Sequence, residues 1–176
     1  MRRALLSFAL LGVLGISQAC AALEGLRALI QPPQFSEAEG QPAELRLLGP
    51  GQGGGTLGGA AIRLWTRVRN PNSFGITLST LAGTLYLEDS RAADADFPLG
   101  LPLTAGGDQV VPLDLRVSFA DIPGLANAVR NAITGRPLAY RLNGTVGVEA
   151  GRFGTPTFGP MNLLSGEIRT RSILQR

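Results

Sequence analysis

Apolar residues recur at every second position through AIRLWTRVR, PLDLRVSF and LAYRLNGTVGVEA, and this period of two constrains the fold more than any other feature. Successive side chains of an extended strand point to opposite faces, so such runs bury one face and wet the other. In the first run Ile62, Leu64, Thr66 and Val68 face one way, and Arg63, Trp65, Arg67 and Arg69 the other. In the second, Leu113, Leu115, Val117 and Phe119 are the inward set. In the third, Tyr140, Leu142, Val146 and Val148 share a face.

The segments between these runs read as further strands and turns. Pro32-Pro33 forbids regular helix in the lead-in, and QPAELRLL ends in a short alternating stretch. ITLSTLAGTLYLED is a strand with a bulge expected at Gly83. Arg91–Asp96 reads as a polar loop. FPLGLPL, interrupted by proline, fits only an edge strand or a connection, followed by a turn at Gly106-Gly107. TFGPMNLLSGEI is the closing strand. A single helix is expected, with Asp121 as cap, Pro123 in the first turn, Leu125, Val129 and Ile133 on one side, and Gly135 at its end. About seven short strands with one inserted helix make an all-β, two-sheet sandwich by the rules of layer packing.

Glycine density misleads in one place. Gly53-x-Gly55-x-x-Gly58 has the spacing of a dinucleotide fingerprint, but it lies in a glycine-rich loop and is followed by a strand, where the motif needs a helix N-terminus. A phosphate-binding P-loop is excluded outright, because the chain has no lysine.

The first 20 of the 176 residues stand apart from the fold. Arg2 and Arg3, an apolar run from Ala4 to Ile16, and Ser17-Gln18-Ala19 before Cys20 have the three regions of an export signal. The apolar run is shorter than the roughly 20 residues that span a bilayer as a helix. Cys20, the only cysteine, excludes an intramolecular disulfide and stands where a lipidated cysteine would. Ordinary signal-peptidase cleavage after Ala19 or Ala21 is the alternative. The expected organisation is a signal at 1–19, a linker at 20–26, a β domain at 27–170 and a tail at 171–176. The export reading places the protein in the periplasm or at the cell surface, anchored through Cys20 if lipidated.

Charge and composition narrow the chemistry. All 16 cationic side chains are arginine, and loss of Arg2 and Arg3 leaves 14 against 13 carboxylates. That balance gives no reason to expect nucleic-acid binding. With no histidine and no lysine there is no imidazole base, no imidazole metal ligand and no Schiff-base amine. The carboxylate pairs Asp94 with Asp96 and Glu88 with Asp89 lie in or beside the polar loop, where solvated charge is the ordinary explanation. No catalytic residue, cofactor or metal site is expected. The Arg63, Trp65, Arg67 face is a candidate surface contact for an anion or a nucleic acid through stacking and charge. Its structural alternative is solvated decoration with Trp65 sheltered under an arginine stem.

The strand RLWTRVR stops at Asn70-Pro71-Asn72 and restarts through Phe74 and Ile76. Proline cannot donate to a ladder and pushes Asn70 away from helical angles, while asparagine side chains bond nearby backbone. The tripeptide therefore ends one strand and begins the next.

A strand ending in Asn-Pro-Asn, followed by an aromatic and an aliphatic residue at the spacing of Phe74 and Ile76, resembles the water stress and hypersensitive response (WHy) domain of the folded, atypical late embryogenesis abundant proteins. The resemblance continues in LYLED, PLDLRVSFADI, GRPLAYRLNGTVGV and TFGPMNLLSGEI, and covers roughly Arg27 to Ile168. It implies an immunoglobulin-like or fibronectin-like sandwich, a non-enzymatic protective role under desiccation or freezing, and an exported bacterial member. The partners implied are partly unfolded or drying client proteins and, through Cys20, the membrane, with the protein a monomer or weak dimer. A competing expectation is an envelope assembly or adhesion module that binds one protein or glycan. A third is lipid contact near Leu99, Leu101 and Leu103, residues that packing at an edge strand also explains.

Overall fold

Period-two runs become long strands. In a computed structural model that describes residues 30–52, 56–121, 130–131 and 134–170, eight strands follow in order. They are β1 (Gln34–Glu37), β2 (Glu44–Leu48), β3 (Gly59–Arg69), β4 (Ile76–Leu87), β5 (Ser90–Leu103), β6 (Asp108–Ser118), β7 (Leu138–Glu149) and β8 (Thr157–Thr170). The protein is all-β, and its strands form one open hydrogen-bonded sheet.

That sheet has two antiparallel groups. In one, β3 pairs with β6 along its whole length, with β1 beside its second half and β2 beside its first. In the other, the order is β5-β4-β7-β8. A short parallel contact joins the groups, with Glu44 opposite Arg169 and Leu45 opposite Thr170. One cluster of buried side chains draws on both, including Ile62, Leu64 and Leu113 from the first and Leu78, Leu85 and Leu142 from the second. The inward sets assigned by alternation on β3 and β7 are buried without exception. Of the expected inward set on β6, Leu113, Leu115 and Val117 are buried, while Phe119 falls just beyond the strand and packs half-buried against the core.

Four expectations need correction. The strand count is eight, because Gln34–Glu37 forms a short strand against Thr66–Arg69 despite having one large apolar residue, Phe35. Arg91–Asp96 is strand and not loop: the β4–β5 connection is only Glu88-Asp89, so RAADAD pairs with β4 and buries Ala92 and Ala95. Gly83 is no bulge. The register of β4 shifts between Leu78 and Thr80 and between Leu85 and Tyr86, while Gly83 lies squarely opposite Gly144. Phe119, finally, belongs to a 3-10 turn over Phe119–Asp121. The helix expected between Asp121 and Gly135 lies largely outside the described residues, as do the signal, Cys20 and the glycine motif at 53–55.

The two-residue β4–β5 turn is built from the wrong residues for its geometry. Glu88 and Asp89 have φ of 46° and 62°, the left-handed region that a tight hairpin turn demands and that glycine occupies without a Cβ penalty. Glu88 is held in place, since its Oε1 accepts the Ala139 N–H at 2.9 Å. Asp89 makes only a 3.4 Å contact with Arg141 at a highly exposed site. Asp89→Gly is therefore expected to raise stability by about 0.5–1 kcal/mol, read as a higher midpoint in urea with unchanged slope. A lower midpoint would show that the Arg141 contact outweighs the backbone relief.

Candidate functional site

The Asn-Pro-Asn corner is a buried polar knot. Asn70 and Asn72 are 0% and 4% exposed, so every polar atom they carry needs a partner. Oδ1 of Asn70 accepts the Asn72 N–H at 3.0 Å and the Asn72 Nδ2 at 2.9 Å. This closes the turn over Pro71, which has no N–H to leave unpaired. Nδ2 of Asn70 donates to the carbonyls of Phe74 at 2.8 Å, Thr104 at 3.0 Å and Leu103 at 3.4 Å. One side chain thus fastens the end of β3 to the start of β4 and to the β5–β6 turn.

Backbone bonds tighten the same corner. Asn70 N–H donates to the Gly107 carbonyl at 2.9 Å, and Gly106 N–H to the Asn72 carbonyl at 3.0 Å. Asn72 reaches in the other direction: its Oδ1 accepts the Gln31 N–H at 2.8 Å and its Nδ2 donates to the Gln31 carbonyl at 3.0 Å. A side-chain amide thereby pairs with both backbone groups of a residue 41 positions away, as a residue of a neighbouring strand would. Ile76 enters the core, and half-buried Phe74 packs on Phe153 with ring centroids 4.7 Å apart. The sequence located the turn and its two asparagines. Gln31, Phe153 and the 103–107 carbonyls carry no local mark of their part in it.

The arginine face is a ladder of ion pairs. Asp114 lies opposite Arg63 on β6 and takes its guanidinium through Nε at 2.6 Å and Nη2 at 2.9 Å. Arg67 Nη1 bonds Asp108 at 3.1 Å. Hydrogen bonding from Arg63 holds the Asp114 carboxyl below the usual carboxylate range. The Arg63 guanidinium also sits 5.7 Å from the Trp65 ring. Two of the three residues proposed for anion contact therefore already have carboxylate partners.

The other singled-out residues are structural in their contacts. Asp94 is engaged by Arg91 and by Thr84, whose hydroxyl donates to it at 3.0 Å. These hydrogen bonds, Arg91's first, lower its pKa. Among the described residues no group of three or more histidines, cysteines or acids is placed to hold a metal ion. Leu103 is buried, and Leu99 and Leu101 pack half-buried against the core from strand β5, which among the described residues pairs only with β4.

A second polar anchor escaped the sequence. Tyr140 is buried on β7, and its hydroxyl donates to Glu37 Oε1 at 2.6 Å across 103 positions. Burial first, then the bond to Glu37, pushes the phenol well above its ordinary pKa. A folded-state pKa raised above the unfolded value of about 10 leaves stability intact below pH 10 and erodes it as pH climbs further. The urea midpoint should accordingly fall above about pH 10, and Tyr140→Phe should flatten that alkaline slope. An equal slope in the variant would assign the loss to other groups.

These features define a folded, all-β structural module organised around a buried asparagine corner. A family model described as "Late embryogenesis abundant protein" matches residues 66–163, more than half of the sequence and including the whole corner from Asn70 to Ile76. The chain belongs to that late embryogenesis abundant family. Its fold is similar to a solution structure from Arabidopsis thaliana, with 17% identity, 81% of this chain and 85% of that one covered, and a TM-score of 0.55. A second solution structure, of a protein described as late embryogenesis abundant, is 20% identical over 92% of this chain and 87% of that one, with a TM-score of 0.49. A crystal structure of a protein from Archaeoglobus fulgidus is 17% identical over 76% and 98%, with a TM-score of 0.42. A comparison with curated proteins found no match.

Proposed function

We propose that this protein is an exported, non-enzymatic member of the WHy branch that protects other proteins at the cell envelope during drying or freezing. On this reading the two strand groups are the layers of an immunoglobulin-like or fibronectin-like sandwich. The observation that carries the proposal is membership in a stress-related family across a segment that contains the complete Asn-Pro-Asn corner. The corner supports it physically. It satisfies its own buried polar groups with protein partners, so the bonding of the corner does not depend on bulk water. A protein that stays folded as water is withdrawn can keep its surface between client molecules by transient contacts, without a pocket.

The test is the residual activity of two unrelated labile enzymes after drying and after freeze-thaw, with the mature domain or an equal mass of an inert protein. Protection of both beyond the inert control is expected. No advantage over it would overturn this reading in favour of an envelope assembly or adhesion module holding one protein or glycan partner.

A further inference from the structure

The free side of β6 is a long, regular stretch of open backbone. β6 pairs with β3 from Gly59 opposite Ser118 to Arg69 opposite Asp108 without a register shift, and among the described residues no strand pairs with its other side. Two bonds just beyond the ends of this ladder fix which groups point where. Phe119 N–H donates to the Gly58 carbonyl at 3.1 Å, and Asn70 N–H to the Gly107 carbonyl at 2.9 Å. Bonded and non-bonded pairs alternate along an antiparallel ladder, so the odd-numbered residues of β6 turn their backbone groups to β3. Trp65 agrees with this parity, since its carbonyl faces away from β6 and accepts the Ala38 N–H at 2.9 Å. Val110, Pro112, Asp114 and Arg116 therefore turn their backbone groups to the open side, and all four residues are exposed.

An open strand edge is a template for another extended chain. Pro112 leaves one gap in this row of donors, on the side where the β3 ladder does not need its N–H. The other outer strands are poorer templates. β5 has two register shifts against β4, prolines at 98 and 102, and a Gly100 φ of 55°. β1 has only four residues. Gln109 ties the start of β6 to β5 through its Nε2, which donates to the Pro102 carbonyl at 3.1 Å, so the open stretch begins at Val110.

We propose that the β6 edge captures extended segments of partly unfolded client proteins as an added strand. This rests on the protective reading and names the surface that performs it. Backbone groups are common to every chain, so strand addition suits clients of unrelated sequence. A second copy is a poorer occupant. It brings its own Pro112, so two paired β6 edges lack two donors, where a client segment without proline meets one gap. That gap also keeps each bonded run short, and a few net hydrogen bonds make a reversible contact.

The test follows amide hydrogen exchange by NMR in the whole chain, alone and with reduced, carboxymethylated lactalbumin as a permanently unfolded probe. Alone, the amides of Val110, Asp114 and Arg116 should exchange fast, and those of Val111, Leu113 and Leu115 slowly. Slow exchange at the first three without probe overturns the proposal: the edge is then already paired, with a second copy if the slowing grows with concentration and within the chain if it does not. With probe, exchange should slow at the first three and stay unchanged at the others; no slowing overturns capture at this edge. Val110→Pro removes an outward donor that β3 does not use, and should weaken probe binding about fivefold, the worth of one net hydrogen bond. Pro112→Val closes the gap and should strengthen binding by a similar factor. Wild-type affinity in both variants overturns strand addition, because a side-chain contact would not sense edge donors. Enzyme protection is read separately: protection with an idle edge overturns this proposal alone, whereas a paired edge without protection overturns the protective role and leaves strand capture standing.

Discussion

Replacing Asn70 with alanine is expected to lower the unfolding free energy by about 3–5 kcal/mol, because several buried groups lose their partners at once. The Phe74 and Thr104 carbonyls lose a donor, and the Asn72 backbone and side-chain N–H groups lose their shared acceptor. No water has access to a residue with 0% exposure. The melting temperature should drop by roughly 10–20 °C for a domain of this size, whereas a loss under about 3 °C would show that the corner relaxes to bond elsewhere.

The isosteric change Asn70→Asp separates shape from hydrogen-bond polarity. Aspartate keeps the acceptor for Asn72 but turns a carboxylate oxygen toward carbonyls that needed a donor. It should be at least as damaging as alanine at pH 7. Because those carbonyls disfavour the ionised form, the folded-state pKa of the new carboxyl is raised above the unfolded value. Stability should then recover as pH falls and the protonated oxygen can donate. A variant that becomes less stable than wild type by a growing margin on acidification would contradict this account.

Gly144→Ala is the second large effect. Gly144 faces inward on β7 opposite Gly83, and a Cβ there would lie against the Ala82 carbonyl and 2.8 Å from the Gly83 Cα. Both obstacles are backbone of a central strand and cannot swing aside like a side chain. The glycine pair lets two strands approach more closely than a pair of alanines would. Overpacking at such a site is expected to cost about 3 kcal/mol, measured by urea unfolding. Gly83→Ala should behave similarly, since its Cβ would come within 2.5 Å of the Asn143 carbonyl oxygen. A stability change below about 0.5 kcal/mol in both variants would mean that the strands separate without penalty.

Much of this architecture was legible in the residues, for reasons that differ by element. β3 and β7 were readable because their apolar residues alternate over a long stretch, so both strand and inward face follow from one pattern. β5 was half missed because Ala92 and Ala95, its inward residues near the start, are too small to stand out among Arg91, Asp94 and Asp96. β1 was missed because four residues with a single aromatic carry no detectable period; its pairing is lent by β3. Gly83 was legible as a special position, but a lone glycine in a strand signals a bulge and a close approach equally well. Only its neighbour Gly144, distant in sequence, distinguishes them.

The candidate site divides in the same way. Asn70, Pro71 and Asn72 announce a turn because proline's missing N–H and asparagine's short amide act within a few residues. By itself the sequence determined which faces turn inward, where the strand breaks, and which chemistries are closed to a chain without lysine or histidine. Those are properties of local geometry and side-chain type. Tertiary structure alone decided that Asn72 grips Gln31, that Tyr140 reaches Glu37 and that Asp114 pairs with Arg63. Each of these joins residues more than 40 positions apart, and bonds across such distances depend on strand order and register, which leave no periodic trace in either partner's neighbourhood.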